Sequence, residues 1–320
     1  MFKLAVDNIN NWVFVTGAIR SGTTFVGQIL SLPREVDFIN EPFNPLSGMP
    51  GIKRWYPYLR PSLDTEEMKY YHELSKNIFT YDLKLKNWYP DSDPLTKKIS
   101  KTLLGNRGVF YLRLAKPNIF HNTAIIKDPT GNLLTEYFYQ QFKVKPVILI
   151  KHPLSFIASL QRVNWPIKHN WILNQTALVD DYFANDLKFV DREYEEPILA
   201  AAAYWRALHK VLLSQLERYP DWQMITHEEL CREPISVFKK LYQALNLPWS
   251  NSIQQKIIKL TQGSTSAEAK KGTVHDFNRN SAEIFKMRRD SISKEHRQAV
   301  FEIVKDVALD LYPQESFAID

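Results

Sequence analysis

A single cysteine, Cys231, stands in the 320 residues of this chain. That excludes an internal disulfide framework and any zinc site built from cysteines. No apolar run approaches the roughly 18 residues that a membrane-spanning helix needs. The opening segment MFKLAVDNINNW lacks the apolar stretch and cleavage site of a signal peptide. A cytoplasmic protein without a transmembrane segment is therefore expected, and the sequon Asn174-Gln175-Thr176 is read as chance. Internal repeats and low-complexity runs are missing too. The net charge of +6 favours an anionic partner. Its cations are dispersed, however, in pairs such as Lys97-Lys98, Lys239-Lys240, Lys270-Lys271 and Arg288-Arg289, with no basic tail and no nucleic-acid motif. Nucleic acid is not an expected partner.

What is present begins with Val13 to Leu30, VFVTGAIRSGTTFVGQIL. It reads as a buried strand over Val13 to Thr16, a turn opened by Gly17, and a helix starting near Ser21 with Phe25, Val26, Ile29 and Leu30 on its apolar side. A strand, a glycine-bearing turn and a helix N-terminus make a phosphate site, because backbone N–H groups and the helix dipole converge on an anion. Gly17 to Thr24 spells G-x-x-x-x-G-T-T, one residue from the P-loop pattern, with Thr23 where the lysine belongs. Without that lysine the β- and γ-phosphates of a nucleoside triphosphate lose their main cation. Arg20 is the strongest local cation, a planar fork that suits a phosphate or sulfonate oxygen. A tight turn with capping hydroxyls and no ligand is the plainer alternative.

With 44% hydrophobic residues the chain can bury a large core. VDFIN (Val36 to Asn40) reads as a second strand ending in Glu41-Pro42. A carboxylate at the carboxyl end of a parallel strand lies on the ligand edge, so Glu41 is a candidate general base; a solvated loop carboxylate is the alternative. Residues 44–120 are broken by prolines and glycines and crowded with Trp55, Tyr56, Tyr58, Tyr70, Tyr71, Tyr81, Trp88 and Tyr89, which suits a helical, loop-rich cover over an acceptor as well as it suits ordinary packing. Regular pattern returns in TAIIKDP, a strand over Ala124 to Ile126 ending at Lys127 and Asp128-Pro129, followed by a helix over Asn132 to Phe142. PVILI (Pro146 to Ile150) is the next strand, leading through Lys151-His152-Pro153 to a helix with Ser155 and Ser159. This alternation predicts a parallel sheet with right-handed crossovers, and Arg20, Lys127 and Lys151 are expected as three cations on its ligand edge. Pro197 to Tyr219 and Pro234 to Leu245 read as scaffold helices.

These residues resemble the sulfotransferases that use 3′-phosphoadenosine 5′-phosphosulfate (PAPS). RSGTTF (Arg20 to Phe25) is similar to the family's 5′-phosphosulfate loop. KHPLSFIAS (Lys151 to Ser159) resembles its 3′-phosphate motif, with lysine replacing arginine and losing the bidentate fork. MITHEELCREP (Met224 to Pro234) resembles the strand and turn that lie beside the adenine, with His227 in the place of a tyrosine. KKGTVHDF (Lys270 to Phe277) is similar to a further loop, from which Lys270, His275 and Phe277 depart. The likeness runs from Val13 to about Ser293, and the order of its motifs is more specific than any one of them.

The resemblance implies an α/β, three-layer, P-loop-like fold: a single domain over residues 1–320 with a central parallel sheet of about five strands flanked by helices. Acceptor-side insertions are expected at about 44–120 and 165–194. It implies PAPS as co-substrate, adenosine 3′,5′-bisphosphate as product and no metal. Arg20, Ser21, Gly22, Thr23 and Thr24 would hold the 5′-phosphosulfate, Lys127 the transferring group, and Lys151, Ser159, Lys270, Lys271 and Gly272 the 3′-phosphate, with His227 beside the base. Cytosolic small-molecule members carry a histidine base after the strand, where this chain has Lys127-Asp128-Pro129; glycan-modifying and several bacterial members resemble the Glu41-Pro42 form. Glu41 is thus the expected base and Asp128 the second candidate. Carbohydrate sulfation leads the expected acceptors, ahead of a lipid-linked or polyketide hydroxyl. A P-loop kinase or NTPase, or a catalytically silent nucleotide-binding protein, are the alternatives.

Overall fold

The structure, a computed structural model, describes residues 8–89, 93–261 and 289–319. The chain divides into two compact units, residues 1–19 with 23–147, and residues 20–22 with 148–320. Strand β4 crosses the boundary. Among the described residues five strands form one sheet in the order β2-β3-β1-β4-β5.

In the first unit, β1 (Asn11–Gly17) buries Val13, Phe14 and Val15 completely. Because it is buried on both faces, it carries a continuous apolar run and not an alternation. α1 (Thr23–Leu30) begins two residues later than the sequence suggests. Arg20 and Gly22 both have positive φ, 67° and 105°, which keeps the loop out of helical conformation until Thr23. β2 (Val36–Asn40) has the predicted bounds. Then come α2 (Glu66–Phe79), capped by the Thr65 side chain on Met68 N, α3 (Leu95–Leu104) and α4 (Arg107–Ala115). Gly105 ends α3, and Asn106 accepts from Val109 N and starts a fresh helix at once.

β3 (Thr123–Lys127) pairs in parallel with both β1 and β2, setting Val15 and Asn40 opposite Lys127. Gly27 of α1 permits close crossing here. A Cβ at Gly27 would meet Phe38 Cε2 at 2.8 Å and Lys127 Cβ at 3.2 Å. The helix expected over Asn132 to Phe142 opens with a 3₁₀ turn, Asn132–Leu134, before α5 (Thr135–Phe142). Its Phe138 and Phe142 join Phe14 and Phe79 in an aromatic core, with Phe79 and Phe142 stacked at 4.0 Å. β4 (Lys145–Ile150) follows.

The second unit continues with α6 (Pro153–Val163), the short α7 (Asn170–Leu173), α8 (Thr176–Tyr182) and α9 (Leu187–Val190), and the long α10 (Pro197–Arg218). The alanine run Ala200 to Ala203 is buried, so α10 approaches its neighbours closely. Trp205 and Tyr204 follow it into the core, Tyr204 stacking on Phe156 of α6. β5 (Gln223–Thr226) leads into α11 (His227–Arg232) through a capping box between Thr226 and Glu229. α12 (Pro234–Ala244), α13 (Asn251–Thr261) and α14 (Lys294–Ala308) follow, α14 packing on α10 and α6, with a 3₁₀ turn, Gln314–Phe317, after it.

Candidate functional site

The first unit gathers its chemistry at the carboxyl ends of β2 and β3. Lys127, the last residue of β3, is wholly buried along its stem, and its ammonium donates to the Glu41 carboxylate. The two strands also join through the backbone, Glu41 N donating to Lys127 O at 2.7 Å. Asn44 Nδ2 holds the other Glu41 oxygen at 2.8 Å. Glu41 has a φ of 53°, a left-handed conformation costly for a residue with a Cβ. Burial pushes the Glu41 carboxyl up, but the Lys127 charge, the hydrogen bonds from Lys127 and Asn44, and the Arg107 charge together hold it below its ordinary range. The solvated loop carboxylate is thereby replaced by an oriented anion.

Asp128, the second candidate base, is fully buried and employed otherwise. Its Oδ2 accepts from Phe43 N at 2.6 Å, and its Oδ1 accepts from Thr130 N, Thr130 Oγ1 and Gly131 N. It pins the chain after β2 to the turn after β3. Burial, with the nearby Glu41 charge, lifts its carboxyl to about 6. Thr23, buried, and Thr24, half-buried, open α1.

In the second unit three of the expected residues meet. Arg20 Nε donates to Ser159 Oγ at 3.2 Å, and Lys151 Nζ donates to the Arg20 carbonyl at 3.2 Å. Lys151 and Ser159 are each 2% exposed. A half-buried guanidinium donating to a buried hydroxyl, with a buried ammonium on the same residue's carbonyl, makes a setting for an anionic oxygen group. His227 opens α11 against the loop: a Cβ at Gly22 would lie 3.5 Å from its Cδ2. Ser21 is buried. Of the expected trio of cations, Arg20 and Lys151 are therefore brought together, while Lys127 is engaged by Glu41. Lys270, Lys271 and Gly272 lie outside the described residues.

Sequence reasoning missed the frame around Lys151. The Lys151 carbonyl accepts from Trp205 Nε1 at 2.8 Å. His152, 1% exposed, caps α6 by accepting from Leu154 N, and its Nε2 meets Ser316 Oγ at 2.9 Å. His152 N donates to Glu228 Oε1, and Tyr312 OH donates to Glu228 Oε2 at 3.0 Å. Burial raises the Glu228 carboxyl, against the lowering influence of its hydrogen bonds and of Lys151. The ring of Trp165, at the head of the second expected insertion, lies 5.6 Å from the Arg20 guanidinium.

No protein-family model matches the chain, and no curated protein matches it. Among solved structures the chain is similar to mouse sulfotransferase SULT7A1 in complex with PAP, at 12% identity over 98% of this chain and 91% of that one, with a TM-score of 0.45. It is similar to the sulfotransferase domain of the Synechococcus PCC 7002 olefin synthase, at 16% identity over 95% and 97%, TM-score 0.44. A third is retinol dehydratase in complex with retinol and PAP, at 14% identity over 94% and 83%, TM-score 0.43.

Proposed function

We propose that this chain transfers a sulfuryl group from PAPS to a hydroxyl acceptor, with Glu41 as general base. The observation that carries the reading is the Glu41–Lys127 pair, a carboxylate held anionic and aimed by a buried ammonium at the carboxyl ends of two adjacent strands. Arg20, Lys151 and Ser159 fit the charged end groups of the donor, since they converge donors of two kinds and include no carboxylate. Bound PAPS would supply an electrophilic sulfur and a stable leaving group.

The residues then divide the work. With PAPS bound, Glu41 would take the proton from the attacking hydroxyl onto a carboxylate oxygen as the new O–S bond forms and the bond between sulfur and the 5′-phosphate oxygen breaks, releasing adenosine 3′,5′-bisphosphate. Lys127, until then paired with Glu41, is close enough to that carboxylate to offset the charge that builds on the transferred group and the departing oxygen. Arg20, Thr24 and the loop amides hold the 5′ end; Lys151 and Ser159 hold the 3′-phosphate, joined in this reading by Lys270, Lys271 and Gly272. A sugar hydroxyl is the proposed acceptor, which makes this a carbohydrate sulfation enzyme acting in the cytoplasm.

Transfer of labelled sulfate from PAPS to an acceptor panel tests the reaction. Glu41→Gln should lower turnover about 10²–10⁴-fold and leave the affinity for adenosine 3′,5′-bisphosphate unchanged. Near-normal turnover in that variant would refute Glu41 as base.

A further inference from the structure

The register of the sheet puts an idle acceptor beside the ammonium of Lys127. Asn40 and Lys127 are partners across β2 and β3, so their side chains leave the sheet on the same face. Gly27 of α1 lies over that face, where an added Cβ would meet both Phe38 and Lys127. Asn40, two residues beyond Phe38 on the same strand, points the same way. Both side chains are shielded, Asn40 being 7% exposed and Lys127 0%. Among the described residues Asn40 Oδ1 is buried with no hydrogen-bond partner. An ammonium carries three N–H groups, and that of Lys127 gives one to the Glu41 carboxylate.

Successive residues of a strand point to opposite faces, which would carry Glu41 away from Asn40 and Lys127. The positive φ of Glu41 breaks that alternation, and its carboxylate reaches the Lys127 ammonium. Neighbouring strands lie about 4.8 Å apart, within the swing of a lysine on its long stem. The cation thus has two acceptors at hand, one charged and in use, the other neutral and idle. A buried carbonyl without a partner weakens a fold, and its retention calls for an explanation in function.

We propose that Asn40 is a positioning residue for Lys127, receiving the ammonium when Glu41 is neutralised. The inference rests on the sulfuryl-transfer reading. In that reaction the hydroxyl proton passes to the Glu41 carboxylate, the O–S bond forms, and the bond from sulfur to the 5′-phosphate oxygen breaks. Protonated Glu41 loses the charge that held Lys127. Asn40 Oδ1 then accepts one ammonium N–H, which leaves the others for the oxygens on which negative charge builds. An acceptor that is idle in the resting protein and engaged only during transfer favours the transition state over the ground state.

Asn40→Leu keeps the branched shape and cannot accept. Its melting temperature should equal or exceed that of the wild type, because the unpartnered carbonyl is gone. Its single-turnover transfer of labelled sulfate from PAPS should be about tenfold slower, with adenosine 3′,5′-bisphosphate affinity unchanged. Asn40→Asp keeps an acceptor oxygen and should transfer faster than Asn40→Leu. Its added charge should also raise the Glu41 carboxyl and move the acid limb of the rate to higher pH. Transfer by Asn40→Leu at the wild-type rate overturns the inference and leaves the transfer reading standing. So does an Asn40→Asp variant no faster than Asn40→Leu with an unmoved acid limb. A melting temperature lowered together with bisphosphate affinity in Asn40→Leu makes Asn40 structural and overturns the inference as well. A wild type that binds the bisphosphate and sulfates nothing in the acceptor panel overturns the transfer reading itself, and this inference with it.

Discussion

Glu41 and Arg20 share a feature that residue type conceals: each holds a left-handed backbone without being glycine. Such strain, of order 1–3 kcal/mol per residue, persists only where surrounding contacts fix it. For Glu41 these are Lys127 on the side chain and backbone and Asn44 beyond; for Arg20 they include the Ser159 hydroxyl and the Lys151 ammonium. The identity of both residues as candidates was legible from motif and strand end. Their conformation was not, because nothing in the sequence marks a positive φ at a glutamate or an arginine. Asp128 stood as a rival base only because position along the strand cannot reveal the four donors that occupy it. Arg20→Lys keeps the charge and removes the planar fork. Calorimetry should show adenosine 3′,5′-bisphosphate binding weakened about tenfold, with ATP–Mg²⁺ binding no better than in the wild type. Undiminished bisphosphate affinity would remove Arg20 from the donor site.

Among the elements, the strands read most clearly because buried parallel strands need apolar runs: PVILI is unbroken, and in VDFIN the buried Asp37 is held by Tyr81 and His121. Helix starts were less legible: the loop conformation delays α1, and a 3₁₀ turn delays α5. The exposure of Leu95, Ile99 and Leu103 on α3 was not legible, since such a stripe ordinarily marks a buried face. The frame that holds Lys151 was also hidden, because its members are far apart in the chain: Trp205 on α10, Glu228 on α11, and Tyr312 and Ser316 after α14. Trp205 is completely buried, and its indole is the donor to the Lys151 carbonyl. Trp205→Phe keeps the ring and leaves that carbonyl short of a partner, which should cost about 1–3 kcal/mol in urea unfolding. The same variant should weaken bisphosphate binding by moving Lys151. A variant of unchanged stability and affinity would show that α10 does not position this residue.

For the whole molecule, buried titratable groups set the response to acid. Burial and the Arg289 charge hold His152 down to about 3, and burial holds His209 at about 4. Both are neutral when folded and titrate near 6.5 when unfolded. The unfolded chain therefore binds more protons as pH falls below about 6.5, and stability falls with it. Asp128, raised to about 6, acts in the opposite sense, because its penalty is relieved as it protonates. Burial lowers His169 as well and raises Glu228, so three histidines stand against two carboxyls, and the melting temperature should drop between about pH 7 and about pH 5. His209→Met, similar in bulk and unable to titrate, should reduce that drop. A melting temperature that is constant or rises on acidification would contradict this balance.

The central claim is that Glu41 is the base in sulfuryl transfer, and its most direct measurement is single-turnover transfer of labelled sulfate from PAPS by wild type and Glu41→Gln, with adenosine 3′,5′-bisphosphate affinity measured on the same samples. Glu41→Gln should bind the bisphosphate as tightly as the wild type and transfer sulfate about 10²–10⁴-fold more slowly. Transfer at the wild-type rate with intact binding would contradict the account.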